Sequence, residues 1–282
     1  MANRHVAPLL VLGGVASVQL GAAVATTLFD AIGPAGTVLY RLAFAAALLL
    51  AIWRPRPGRV DRDALVLAGV FGVSLAAMNL CFYAALDRIP LGIAVTLEFV
   101  GPLGVALAAS RRATDLLWVG LAAAGILLLA GPSGGAEVAG IALALAAGGF
   151  WAAYILLSSR IGRAFEGGEG LALAMAVAAA LMLAPGVADG GSELLDPSLI
   201  AVGAAIAVLS SVIPYSLELE ALRRLSVGTF GVLMSLEPAV AATVGLLVLG
   251  QGLAAAEVAG ICLVVVASAG ALSASPEAPT EA

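Results

Sequence analysis

The chain has 282 residues, 62% of them hydrophobic and 11% charged, with a formal net charge of −5 and a mean hydropathy of +1.11. Soluble domains run at about 45–50% apolar and about 25% charged, so this chain has too few charges to coat a soluble globule. The same counts exclude a disordered chain and a disulfide scaffold, and a pI near 4.9 argues against a nucleic-acid partner.

What remains is an integral membrane protein. A helix crosses a bilayer with roughly 20 mostly apolar residues, and ten such spans are readable: 7–28, 34–53, 64–86, 90–109, 115–131, 138–158, 170–188, 199–218, 227–249 and 252–273. Their runs are continuous rather than alternating, which predicts helices and not a barrel. Abundant Gly and Ala let helix backbones approach closely in lipid. Span 1 carries Gln19 at its middle; Ala-Val-Ala at 23–25 mimics a cleavage site, but the apolar run is too long for a signal peptide. Span 2 contains Arg41 and ends at Trp53, span 3 contains Asn79, Cys81 and Tyr83, and span 4 contains Glu98. Span 5 opens near Trp118; this residue and Trp53 read as interface anchors. Span 6 places Trp151 and Tyr154 one turn apart. Pro214 predicts a kink in span 8 beside Tyr215. Glu218 and Glu220 read as an ion cluster with Arg223 and Arg224 at its end. Span 9 contains Glu237 and span 10 contains Cys262, after which 275–282 read as a disordered tail.

Several chemistries are missing. Cys81 and Cys262 form no metal-ligand or disulfide pattern and read as small core residues. His5 is the lone histidine, which disfavours His-based metal sites and nucleophile–base dyads. There is no lysine, so no Walker A loop and no intrinsic ATP-driven pumping. Neither an enzyme nor a bound cofactor is expected.

Arginine placement predicts orientation. Arg4, Arg54, Arg56, Arg59, Arg62, Arg111, Arg112, Arg160, Arg163, Arg223 and Arg224 fall on one side of the membrane, against Arg88 on the other. The positive-inside rule then puts both termini in the cytoplasm, and a bacterial inner membrane is the simplest location.

The chain also repeats. Residues 83–109 align without gaps on 219–245, matching Gly92 to Gly228 and Pro102 to Pro238. Each half, 1–131 and 138–274, then holds five spans. Because five is odd, the halves enter the membrane with opposite orientation, the inverted repeat of many secondary transporters. The expected fold is all-α, with ten transmembrane helices in two inverted five-helix repeats.

A charge at the bilayer centre costs at least about 2.5–3.5 kcal/mol and normally faces a cavity or a partner. Counted at a rise of about 1.5 Å per residue from the span ends, Arg41, Asn79 and Glu98 lie about 10–12 Å below one face, and Glu237 about 15 Å from the other. The functional reading is a polar cavity between the halves, in which Arg41 binds a substrate carboxylate bidentately and Glu98 pairs with an ammonium. Asn79 lies at the depth of this pair and Tyr83 one helical turn from Asn79, and both are candidates to bind the substrate. Glu237, desolvated, is placed to carry a coupled proton. A buried structural Arg41–Glu98 ion pair is the alternative. Trp151, Tyr154 and Tyr215 are further lining candidates, and Gln19 either packs or binds.

The stretches PLGIAVTLEFVGPLGVAL (90–107), GGFWAAYILLSSRIG (148–162), PYSLELEALRRL (214–225) and GTFGVLMSLEPAVAA (228–242) resemble the threonine/homoserine exporter branch of the EamA family, within the drug/metabolite transporter superfamily. The resemblance spans almost the whole chain. It implies two inverted five-helix halves around a central cavity and export of small amino acids and analogues. It takes in Glu98, Trp151, Tyr154, Tyr215 and Glu237; Arg41 and Asn79 rest on depth alone. The expected function is secondary export of a small-molecule substrate such as threonine or homoserine, driven by protons. A broader drug, purine or amphipathic-compound exporter is a second expectation and a non-transporting accessory subunit a third.

Overall fold

The computed structural model describes residues 6–55, 61–109, 114–129, 137–222, 224–225 and 227–273. The expected tail at 275–282, His5 and several loop arginines, among them Arg4, Arg56, Arg59, Arg111, Arg112 and Arg223, lie outside them. The described residues are all-helical, without strands. In chain order the helices are α1 (Val6–Thr26), α2 (Phe29–Trp53), α3 (Arg62–Leu86), α4 (Leu91–Glu98), α5 (Val100–Ala109), α6 (Asp115–Leu129) and α7 (Val138–Ala164). They continue with α8 (Glu169–Gly190), α9 (Pro197–Ala207), α10 (Ile213–Leu222), α11 (Val227–Met234), α12 (Glu237–Leu249) and α13 (Ala255–Ser273).

Among the described residues, eight segments are long and apolar enough to cross a membrane: Val6–Thr26, Phe29–Trp53, Arg62–Leu86, Leu91–Ala108, Val138–Ala164, Glu169–Leu195, Thr229–Leu249 and Ala255–Ser273. The predicted spans 5 and 8 correspond to shorter apolar helices, Asp115–Leu129 and Pro197–Val212. Large apolar side chains such as Leu116, Leu127 and Leu247 lie bare on the helix exteriors, as helices surrounded by lipid tails require. The chain is a multi-pass membrane protein.

Three predicted spans are not continuous helices. Span 4 turns at Phe99 between α4 and α5, and span 9 turns at Ser235–Leu236 between α11 and α12. Each turn lies just ahead of a proline, Pro102 or Pro238. A proline has no N–H to give the carbonyl four residues back and its ring crowds that carbonyl, so Glu98 and Met234 lose their ordinary helical partners. Span 8 passes through a π-helical turn, Val208–Val212, between α9 and α10. Pro214 has the same effect there on the carbonyl of Ser210, so the predicted kink is a π-bulge ahead of the proline. α2 starts earlier than expected and breaks at Gly33, whose φ of 66° suits glycine. The Asp189 carboxylate of α8 then accepts the Ala35 N–H (3.1 Å) at the new helix start.

Packing is reciprocal. α1 packs on α10, α11 and α12, while α7 packs on α3, α4 and α5. α2 lies along α8, α6 along α13 and α4 along α12. Close approach depends on missing side chains: a Cβ on Gly101 would collide with the Gly148 carbonyl, and one on Gly148 would sit 2.6 Å from the Glu98 carbonyl. Trp118 is not a free interface anchor, because its ring fills the space over Gly270 of α13. Trp53 remains exposed at the end of α2. Cys81 is half-buried, whereas Cys262 is exposed on α13 rather than in the core.

Candidate functional site

Where the broken helices meet, a cavity of about 210 Å³ opens among α1, α2, α3, α4, α7, α10, α11 and α12. Its lining divides between two sets of elements. From α2, α3, α4 and α7 come Arg41, Leu75, Met78, Asn79, Phe82, Val95, Glu98, Trp151 and Tyr154. From α1, the π-helical turn and α10 to α12 come Val18, Gln19, Ala22, Ser210, Pro214, Glu218, Met234 and Glu237. The turns place the acids: Glu98 is the last residue of α4 and Glu237 the first of α12. Each carboxylate therefore sits at a helix break rather than on an unbroken helical face.

The cation is oriented by an aromatic neighbour. Arg41 donates to the Tyr83 hydroxyl (3.2 Å), with its guanidinium carbon 5.6 Å from the Tyr83 ring centroid. Tyr83 itself is fully buried behind the wall and tilted against Phe29 (6.0 Å) and Phe82 (5.9 Å). Tyr83 thus orients Arg41 rather than lining the cavity. Asn79 donates to the Leu75 carbonyl one turn earlier (2.9 Å). Tyr154 stacks on Phe71 (5.0 Å) and Trp151 stands edge-on to Phe99 (5.6 Å), so packed rings fix both aromatic lining residues.

On the other side, Gln19 donates from Nε2 to Glu237 Oε1 (3.0 Å). Both residues are buried, Gln19 at 1% exposure and Glu237 at 7%. The weakly signalled Gln19 is therefore a direct partner of the second carboxylate.

Of the residues singled out in the sequence, Arg41, Asn79, Glu98, Trp151, Tyr154 and Glu237 line this cavity. Tyr83 is one layer behind, and the Tyr215 side chain lies outside the described residues. Glu218 is a correction: it lines the cavity, while Glu220 takes the ion pair with Arg224. The signal was available, since Glu218 is one helical turn from Pro214 on the same face. Ser210, Met78 and Met234 had no sequence signal beyond their place in apolar runs. Among the described residues no group of three or more His, Cys, Asp and Glu could hold a metal.

Comparisons with known proteins agree with this architecture. The model of the EamA-like transporter family matches residues 138–273. The chain is 41% identical over 265 residues to "Threonine/homoserine exporter RhtA" of Salmonella typhimurium (strain LT2), covering 93% of this chain and 90% of that protein. The protein of the same name from Escherichia coli (strain K12) is also 41% identical over 265 residues, at 93% and 89% coverage. A solved crystal structure superposes with a TM-score of 0.61 over 92% of this chain and 95% of the other, at 20% identity, a likeness of fold alone.

Proposed function

Because the chain belongs to the EamA-like transporter family, we propose that it exports threonine, homoserine and similar small amino acids from a bacterial cytoplasm across the inner membrane. The observation that carries this reading is the cavity that Arg41 and Glu98 both line. A zwitterion needs a cation for its carboxylate and an anion for its ammonium, and two separate helices supply them. Guanidinium suits the carboxylate because its planar donors match both oxygens.

Size favours amino acids over the broader drug or purine reading. Sites for drug-sized ligands run to about 300–1,000 Å³, and this cavity is about 210 Å³. Two inverted halves, 1–131 and 138–274, are supported by helix breaks at aligned positions of the repeat, Phe99 and Ser235, and by the reciprocal packing of α1 and α7. Ten crossings with both termini cytoplasmic follow from the ten apolar segments and the arginine distribution. Alternating access is then a rocking of one half against the other about the central cavity.

Proton coupling belongs to the same proposal. The cavity lining offers Arg41 as its cation against Glu98, Glu218 and Glu237. With every acid ionised, a net negative charge would stand in a low-dielectric site, which favours proton uptake. Glu237 and Glu98 are assigned this exchange.

The test is efflux of labelled threonine from vesicles reconstituted with the purified protein alone. Flux that collapses in Glu98→Gln supports the reading; unchanged flux in the variant removes Glu98 from it. No threonine flux with the wild type, alongside resistance to amphipathic cations in cells, would favour the drug exporter. Flux by the lone protein excludes an obligate accessory role. For coupling, an imposed pH gradient should drive accumulation by the wild type, while Glu237→Gln should exchange threonine without responding to the gradient. Wild-type flux indifferent to the gradient would refute coupling.

A further inference from the structure

The side of the cavity formed by α1, the π-helical turn and α12 carries three polar atoms that the protein's own hydrogen bonds leave unmet. Gln19 Oε1, Ser210 Oγ and Glu237 Oε2 are buried and have no hydrogen-bond partner among the described residues. Their residues are 1%, 3% and 7% exposed, and all three line the cavity. An unmet buried polar group is costly, and native proteins rarely leave one without a ligand or water.

Their orientation is fixed by the fold. Gln19 spends its amide N–H on Glu237 Oε1, which sets its carbonyl oxygen as the free end. Ser210 lies in the π-helical turn created ahead of Pro214, and Ser17 anchors that turn by donating to the Leu209 carbonyl (2.7 Å). α1 approaches the turn closely because residue 21 is glycine; a Cβ there would collide with Ser210 Oγ. The cavity lining thus offers two acceptors, or an acceptor and a carboxyl, together with a hydroxyl that both donates and accepts.

We propose that Gln19, Ser210 and Glu237 form a subsite for the side-chain hydroxyl of the substrate, and that Ser210 is a specificity-determining residue. This rests on the amino-acid export reading. Arg41 and Glu98 hold the groups common to every amino acid, so they cannot separate a hydroxy amino acid from an aliphatic one. A substrate hydroxyl accepts from Ser210 Oγ–H and donates to Gln19 Oε1 or Glu237 Oε2. The paired acceptors serve a hydroxyl on either the β- or the γ-carbon. A ligand lacking it leaves the buried trio unmet, the arrangement that gives strong discrimination against a deoxy analogue.

The experiment is displacement of labelled threonine from purified protein by threonine, homoserine and 2-aminobutyrate, which is threonine without its hydroxyl. The wild type should bind 2-aminobutyrate at least about tenfold more weakly than threonine. In Ser210→Ala, threonine should weaken about five- to tenfold while 2-aminobutyrate stays within about twofold, narrowing the ratio. Unchanged 2-aminobutyrate affinity also certifies that the variant is folded. Equal wild-type affinity for threonine and 2-aminobutyrate would overturn the subsite while leaving amino-acid export standing, as it would if bound water satisfied the trio. Equal weakening of both ligands in the variant would overturn the role of Ser210. Failure of threonine to bind the wild type would overturn the export reading, and the subsite with it.

Discussion

Arg41 is oriented by a phenol. Its guanidinium donates to Tyr83, whose ring is wedged among Phe29 and Phe82. Tyr83→Phe keeps the packing and removes the acceptor, so threonine KM should rise about three- to tenfold with little change in thermal stability. Arg41→Lys keeps the charge but loses the planar fork, and should weaken threonine about tenfold or more. Concentration-dependent flux in proteoliposomes reads both; wild-type KM in Arg41→Lys would contradict carboxylate recognition. At this scale the charged half of the site was legible, because Arg41, Glu98 and Glu237 stand out in apolar runs. Gln19 was legible only as a residue that either packs or binds and Ser210 not at all, since neutral polar residues also serve helix packing. Glu218 was misplaced because Arg223 and Arg224 are its neighbours in sequence, whereas helical geometry turns it into the cavity and leaves Glu220 to Arg224.

The helices contribute through their interruptions. Pro102 and Pro238 stand three residues beyond the aligned turn positions Phe99 and Ser235. Pro238→Ala allows the Met234 carbonyl a helical partner, and we expect it to straighten the segment and turn Glu237 out of register. Threonine flux should fall at least about tenfold while the melting temperature holds or rises; undiminished flux would mean that the break is dispensable. Gly101→Ala should act on stability instead. Its methyl meets the Gly148 carbonyl, forcing α5 from α7 at about 1–3 kcal/mol, measurable as a lower melting temperature in detergent. Asp196 caps α9 by accepting the Ser198 N–H (2.7 Å) and hydroxyl (2.6 Å), and these bonds hold its exposed carboxyl below its usual range. Asp196→Ala removes this cap and should lower the melting temperature in detergent; an unchanged melting temperature would mean that the cap is dispensable. Spans as apolar blocks were legible in the sequence, but the turns inside them were not. Hydropathy is blind to a one-residue turn, and only the aligned prolines hinted at it.

Across the whole molecule, the charges on separate helices become one site because α1 and α7 each pack mainly on helices from the other half of the sequence. Depth counting brought Arg41, Asn79 and Glu98 to one level, but a level is a plane; the packing brings them to one cavity. The measurement that bears most directly on this account is equilibrium binding of labelled threonine to purified wild-type protein, Arg41→Gln and Glu98→Gln, each checked for folding by its melting curve. We expect saturable binding by the wild type and a loss of at least about tenfold in each folded variant. Wild-type affinity in both folded single variants would place the substrate elsewhere and contradict the cavity as the transport site.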